Sequence, residues 1–387
     1  MSDVELIFVI LAVIYGWECG CWLRGGTLAF RTLLGKSWQA VPPGKLLGNQ
    51  HGGFIFANPL PPLGTLLQSG TLPVSLSPDG VLAYVATHLN PGPRPWQSGR
   101  WIPFEKLETV TAKGKWVLAN GQRLVHAGSA HSAVRLKKLL VDLKASPHEE
   151  RERKIRKFCE SGFDTGSLDQ SWETLQTQSR RLRWLANVLF CFIFAAAPLA
   201  IWLAGFRLVW MGLLAGLLAL AASIAVLFLR AHRQLYPELE DERFTQFIIV
   251  LLSPANAIRA LDLLSRPALE AFHPLALARR LFTAPAFEVF ASRFLRDLRH
   301  PAYPEFEAKD PVAREAERWF RQVQLGTAEK FLARHGIDAA RLSLVPAKAE
   351  PDCRSYCPRC LAQFTVHEGV CEDCGGLPLV RFEISRS

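Results

Sequence analysis

The chain has 387 residues, 49% of them apolar and 21% charged, with a net charge of +10 at pH 7. These values exclude a disordered chain, a collagen, a coiled coil and a low-complexity polymer. Nine cysteines are too few for a small disulfide-built scaffold, while the length leaves room for two or three domains and for membrane segments.

The first apolar run is Leu6–Trp17, and it reaches Leu23 across Glu18. Met1–Glu5 holds two acids and no base, unlike the basic start of a cleaved signal peptide. Arg24, Arg31, Lys36 and Lys45 follow without an intervening acid. The positive-inside rule therefore predicts a membrane anchor over 4–23 with its N-terminus outside, a cleaved signal peptide or an interfacial helix being the alternatives. Residues 24–70 are rich in Gly and Pro and read mostly as loop.

A period of two begins at Leu72. Leu72–Ser77 runs into the turn Pro78-Asp79-Gly80, and Val81–Ala86 leaves it. Arg100–Phe104, Leu107–Ala112, Trp116–Ala119 and Arg123–Ala127 read as further strands, with Asn120-Gly121 as the clearest hairpin turn. Ser129–Leu143 is predicted to be a helix, with Ala133, Leu136, Leu139, Leu140 and Leu143 on one face. Strands closed by one C-terminal helix, with the Ser77–Val81 turn, the Trp101–Phe104 strand and the Gly121–Val125 strand, resemble bacterial PH-like domains over residues 70–145. The resemblance implies a small antiparallel β domain used for binding or as a structural module, and names no ligand. Lys113, Lys115, Arg123, Lys137 and Lys138 can face anionic lipid, an ordinary solvated surface being the simpler reading.

His148–Lys157 mixes five bases with three acids and reads as an exposed helix. It lacks the clean basic face and stacking aromatics of a nucleic-acid site, so no nucleic-acid partner is expected. Trp184–Phe206 then gives 23 residues without a charge, and Leu208–Leu229 gives 22 more after Arg207. Each is long enough for ~30 Å of hydrocarbon, which predicts a transmembrane helical hairpin over 184–229. Pro198 is placed to kink the first helix, and Gly212 and Gly216 form a small-residue face on the second. Neither run holds an Asp, Glu, Lys, Arg or His, which argues against an ion or proton path. Arg180, Arg181, Arg183, Arg230 and Arg233 flank the hairpin and put both flanks in the cytoplasm.

Residues 236–345 read as a helical cytoplasmic region. Phe247–Leu252 is strongly apolar but too short to cross a membrane. Ser253-Pro254 opens a helix through Leu264, Ser265 is placed to cap the next, and Pro267, Pro274 and Pro285 divide the region. Phe287, Phe290, Phe294 and Leu298 form an amphipathic stripe. Asp310-Pro311 opens a helix facing inward with Ala313, Ala316, Phe320 and Val323, and Thr327–Gly336 reads as a separate capped helix. Arg259, Asp262, Glu270 and His273 fall close together, but no catalytic motif contains them.

The sharpest motif is Cys357-Pro-Arg-Cys360 followed, after ten residues, by Cys371-Glu-Asp-Cys374-Gly-Gly. Two CxxC pairs can close a tetrahedral thiolate site around zinc. Gly375 permits the tight backbone after the second pair. With short strands at Phe364–His367 and Leu379–Phe382, the segment 353–383 resembles the zinc-ribbon family, which implies a structural zinc held by Cys357, Cys360, Cys371 and Cys374. Iron takes the same four thiolates, and disulfides would need an oxidising compartment. Cys353 is a spare ligand by spacing or a free thiol, and Cys19, Cys21, Cys159 and Cys191 form no ligand pattern.

The whole reads as a multi-domain α+β membrane protein with an N-terminal anchor, a PH-like β domain, a transmembrane hairpin, a helical region and a zinc ribbon. The function expected is that of a non-enzymatic scaffold that positions protein partners at the cytoplasmic face of a bacterial inner membrane. The alternatives are a membrane-bound enzyme using 236–345 on a lipid-linked substrate, and a lipid or nucleic-acid sensor.

Overall fold

The structure, a computed structural model, describes residues 74–86, 96–127, 129–237, 239–300 and 310–382, three short strands between 39 and 68, and the helical positions Leu6, Val9 and Val13. The rest of the anchor expected over 4–23 lies outside the described residues. The chain divides into two units, each assembled from separated stretches. One comprises 1–71, 128–132 and 165–272; the other comprises 72–127, 133–164 and 273–387.

Strands β1 (Gln39–Val41), β2 (Ile55–Ala57) and β3 (Leu66–Gln68) pair antiparallel in that order. They are an addition to the expectation of mostly loop over 24–70, the rest of which lies outside the described residues; three-residue strands are too short for a period of two to emerge among Gly and Pro. Strands β4 (Val74–Leu76), β5 (Gly80–Ala86) and β6 (Trp96–Pro103) form a second antiparallel sheet. At the β4–β5 turn the Ser77 backbone N–H donates to Gly80 O at 3.0 Å, and Ser77 Oγ accepts from the Asp79 N–H at 3.2 Å. A third sheet holds β7 (Val110–Lys113), β8 (Trp116–Ala119) and β9 (Gln122–His126). Asn120 and Gly121 have φ of 51° and 74°, the left-handed pair that a two-residue hairpin requires. The Asn120 side chain also accepts from the Glu108 and Thr109 N–H groups and donates to Lys106 O, so it fixes the entry to β7.

Helix α1 (Ala130–Ala145) buries Ala133, Leu136, Leu140 and Leu143 in one core with Val74, Leu76, Val81, Phe104, Val117 and Val125. Helix α2 (His148–Ser161) carries the mixed charges outside and buries Ile155. Its Arg151 donates to Leu143 O at 2.9 Å and to Pro78 O at 3.0 Å while its guanidinium lies over the Phe104 ring.

Helix α3 (Thr165–Cys191) passes through a π-helical turn, Phe192–Ala196, into α4 (Ala197–Ala204), and α5 (Phe206–Leu235) returns. The π turn has a local cause: Pro198 has no N–H for the carbonyl of Phe194, and widening the helix there relieves its ring. Gly205, with φ 78°, turns the chain between the arms. The arms run 40 and 30 residues, well beyond the expected spans, so each extends past its apolar part. Leu168, Leu175, Leu182 and Leu189 of α3 and Ile224, Phe228 and Ala231 of α5 are buried at spacings of three, four and seven, a packed seam. Phe192 packs on Gly216, where a Cβ would lie 3.1 Å from its ring, whereas Gly212 faces open space, so only one of the two glycines serves close packing.

After α5 come α6 (Glu240–Leu252), α7 (Pro254–Ile258) and α8 (Ala260–Leu269), all packed on the hairpin. Ser253 caps α7 as expected, accepting from the Asn256 N–H at 3.3 Å. Ser265 is no cap: its hydroxyl donates to Asp262 O. Nor does Pro267 break the chain, because it lies inside α8. The buried Tyr236 hydroxyl explains this. It donates to Leu264 O at 2.5 Å and accepts from the Ala268 N–H at 3.1 Å. Those two groups would pair with each other in a regular helix, so the hydroxyl bridges a ladder that the proline opens.

The other unit adds α9 (Pro274–Leu281), α10 (Ala284–Arg299) and α11 (Pro311–Arg334). Phe287, Phe290 and Phe294 are buried as the stripe predicts, and Asp310 caps α11, which buries Ala313, Ala316, Phe320 and Val323. Helix α11 continues through Gly326 instead of restarting at Thr327. The Thr327 hydroxyl donates to Val323 O at 2.7 Å, and this back-bonding uses the group that would have capped a new helix.

Replacing Tyr236 with Phe should leave Leu264 O and the Ala268 N–H unpaired in a buried site, a cost of ~1–3 kcal/mol. A fall of several degrees in the thermal midpoint of detergent-solubilised protein is the expected result.

Candidate metal centre

The last segment contains β10 (Ser355–Tyr356) between β11 (Gln363–Phe364) and β14 (Val380–Arg381), and a separate pair β12 (Val370–Cys371) and β13 (Leu377–Pro378). Each CxxC pair follows the first strand of its own hairpin. Cys357 comes directly after β10, and its N–H donates to Ala362 O while its carbonyl accepts from the Leu361 N–H, both at 2.9 Å. Cys371 ends β12, and its carbonyl accepts from the Gly376 N–H at 3.0 Å. In each knuckle the residue four after the first cysteine is left-handed, Leu361 at φ 64° and Gly375 at φ 71°. The sequence pointed to Gly375 alone. Laying the second knuckle over the first identifies Leu361, which holds a conformation that glycine adopts more readily.

These knuckles aim all four sulfurs at one point. The Sγ atoms of Cys357, Cys360, Cys371 and Cys374 lie within 4.8 Å of one another, and Cys360 and Cys371 are 3.7 Å apart. Tetrahedral zinc with Zn–S bonds of ~2.3 Å separates its sulfurs by ~3.8 Å. A disulfide would need ~2.05 Å, and all four are free thiols. The donor set therefore fits a metal ion such as zinc. Four protein thiolates fill a tetrahedral shell and leave no position for water.

The electrostatics agree with a site completed by a cation. Burial, then the neighbouring thiols of Cys360 and Cys357, push Cys371 up to about 11. Burial and the sulfurs of Cys357 and Cys360 raise Cys374 as well. Burial also acts against the Cys357 thiolate, but the backbone N–H groups of Cys360 and Arg359 and the adjoining thiols outweigh it and hold its pKa below the ordinary thiol value. A divalent cation displaces such protons and offsets the crowding of negative sulfur.

The knuckle carrying Cys360 is fastened to α10. Arg359 pairs with Asp297 at 2.9 Å, and Arg296 Nε donates to Arg359 O at 3.2 Å. Arg296 also donates to Ser292 Oγ, which in turn donates to Leu342 O. None of these docking residues carries a sequence motif, since each depends on where α10 lies. Cys353 is not a fifth ligand. It is buried with Tyr356 and Phe382 in a separate apolar cluster. Burial pushes Cys159 up to about 12, so its thiol stays protonated.

The charged cluster of α7–α9 has a structural role at each position. Arg259 pairs with Asp262 at 2.8 Å, both nearly buried. Glu270 accepts hydrogen bonds from the hydroxyls of Ser129 and Ser132 at the start of α1. His273 caps α9, its Nδ1 accepting from the Leu275 N–H at 3.2 Å. The His273 ring stacks on Phe163 at 4.0 Å and meets Phe294 edge-on. Burial lowers its pKa from 6.5 to about 3, so the imidazole is neutral at physiological pH.

Comparison with known protein families, with curated protein sequences and with solved structures gives no match to this chain.

Two outcomes follow. Replacing Cys357 and Cys360 with Ser should abolish metal retention, measured by elemental analysis of the purified chain. Limited proteolysis should then remove the segment from about Cys357 onward and spare the rest, because a segment this small folds with its metal. For His273, the folded pKa lies below the unfolded one, so its contribution to stability is complete above about 6.5 and is lost as pH falls toward about 3. The loss is ~1.4 kcal/mol per pH unit in that window. His273→Asn keeps a capping acceptor and should flatten this part of the stability–pH curve, read as the thermal midpoint between pH 7 and 5.

Proposed function

We propose that this chain is an integral membrane adaptor that holds partner proteins at the cytoplasmic face of a bacterial inner membrane. In this reading the hairpin and the N-terminal segment cross the bilayer, with the N-terminus outside and the C-terminus in the cytoplasm. The cytoplasmic parts are a PH-like domain over 70–145 and a structural zinc ribbon over 353–383.

The observation that carries the reading is the closed thiolate centre fixed to α10. A metal with four protein ligands offers no site for substrate, but it makes a rigid, exposed β-knuckle surface from a short segment. The membrane part rests on surface chemistry. The most apolar stretches of the two long helices are only 11% and 22% buried, and Trp202, Leu203, Leu208 and Met211 are exposed. A soluble protein would cover such side chains. Arginines bracket the stretches on both arms, as the positive-inside rule asks of a cytoplasmic flank. For the PH-like domain, the support is two antiparallel three-stranded sheets sharing one core with a helix that follows them. Against the enzyme alternative, Arg259, Asp262, Glu270 and His273 are each engaged in holding the fold.

The test is affinity purification from native membranes followed by mass spectrometry, comparing the full chain with the Cys357→Ser/Cys360→Ser variant. A reproducible partner set that the variant loses supports the adaptor. Identical sets would move the contact away from the ribbon, and no reproducible partner for either protein would overturn the adaptor reading.

A further inference from the structure

C-terminal to the hairpin, the longest uncharged run is Phe244–Ile258, and it is too short to cross a bilayer. All of the charge on α6 is gathered at its start, in Glu240-Asp-Glu-Arg243. Helix α6 follows α5 after a short connection and packs back along it. Its 13 residues rise about 20 Å at 1.5 Å per residue. Arg230, the last charge bounding the apolar part of α5, lies only about 9 Å above Tyr236 by the same measure. The end of α6 therefore stands about 10 Å past Arg230, alongside the uncharged part of the hairpin.

The chain then turns and comes back. Ser253 closes α6, its N–H donating to Ile249 O, and starts α7, its carbonyl accepting from the Ala257 N–H. Pro254 carries no donor, so the turn leaves few backbone groups open. Helix α7 is buried at Pro254, Ala255, Ala257 and Ile258 against α3 and α5. Helix α8 then descends, because Tyr236 at the foot of α5 bonds to its Leu264 and Ala268. Arg259, the first charge after the run, is paired with Asp262, as a charge near hydrocarbon must be. On the outward side of α6, Phe244, Ile249 and Leu252 are 70%, 38% and 66% exposed, while Val250 is buried.

We infer that α6 and α7 form a re-entrant element that enters the cytoplasmic leaflet, turns at Ser253-Pro254 and leaves on the same side, with Ile249 and Leu252 against lipid acyl chains. This rests on the membrane reading of the hairpin. The occupant of the apolar face is lipid because α5 exposes Val226 and Leu218 about 6 and 18 Å past Arg230 by the same measure, depths that bracket the end of α6. The hydrocarbon of one leaflet, ~15 Å of the ~30 Å core, accommodates the depth reached, and irregular backbone at that depth is tolerated where protein buries it, as α3 and α5 bury α7.

The experiment places the photo-crosslinking residue benzoylphenylalanine at Ile249 or Leu252 of the full chain in native membranes. Leu218 in the hairpin serves as the lipid-facing control, and Val289, exposed on α10, as the aqueous one. After illumination, mass spectrometry identifies the adduct. Phospholipid adducts at 249 and 252, as at 218, with none at 289, are the expected result. Protein adducts at 249 and 252, from a second copy or another chain, would overturn the inference while lipid at 218 upheld the hairpin. No adduct at 249 and 252 beside lipid at 218 would overturn it equally. Lipid at none of the four positions would remove the membrane reading and the re-entrant element together.

Discussion

An apolar surface larger than the protein can cover is the constraint on which the rest of this architecture depends. The arms of the hairpin carry 23 and 22 consecutive uncharged residues, yet their outer halves find almost no protein to bury them. The lower halves solve the problem differently. Toward the Trp184 and Leu229 ends of the apolar stretches and beyond them, α3 and α5 bury a regular seam of Leu, Ile, Phe and Ala, and α8 packs on it. One pair of helices thus serves as both surface and core. What separates the two regimes is which side chains meet another helix.

The same seam explains the polar groups that looked chemical. A helix containing Pro267 can pack on the hairpin only if its opened carbonyl and N–H are satisfied, and the Tyr236 hydroxyl does both. Arg259 and Asp262 neutralise each other, and Glu270 finds two serine hydroxyls. In the other unit, His273 sits among Phe163 and Phe294 as a neutral cap. Buried polar groups must be partnered, and here the partners are structural. Titratable residues close in sequence are therefore weak grounds for a reaction.

The metal centre works by the opposite logic. Four thiols crowd within 4.8 Å, two of them with raised pKa, an arrangement that a cation stabilises and that protons alone do not. The resulting knuckle is anchored to α10 by an arginine–aspartate pair and a backbone bond. A segment with little core of its own thereby becomes a fixed surface.

Short-range chemistry was legible in the sequence. The CxxC spacing names four ligands because each knuckle is local, and Asn120-Gly121, Ser253-Pro254 and Asp310-Pro311 announce their turns and caps for the same reason. The inward faces of α1, α10 and α11 follow from helical periodicity. The apolar runs of α4 and α5 follow from length alone. Only the tertiary structure decided how far the helices extend, since α3 begins at Thr165, well before the expected span at Trp184. It alone decided that Pro267 lies inside a helix, that Gly216 packs while Gly212 does not, and that Leu361 matches Gly375. It also brought stretches between 39 and 68 into strands. In each case the deciding partner is distant in the chain or lies in a very short element: a tyrosine hydroxyl from the foot of α5, a phenylalanine on the facing helix, a neighbouring strand. Local pattern carries no information about such partners, and free energy at these positions is set by who arrives.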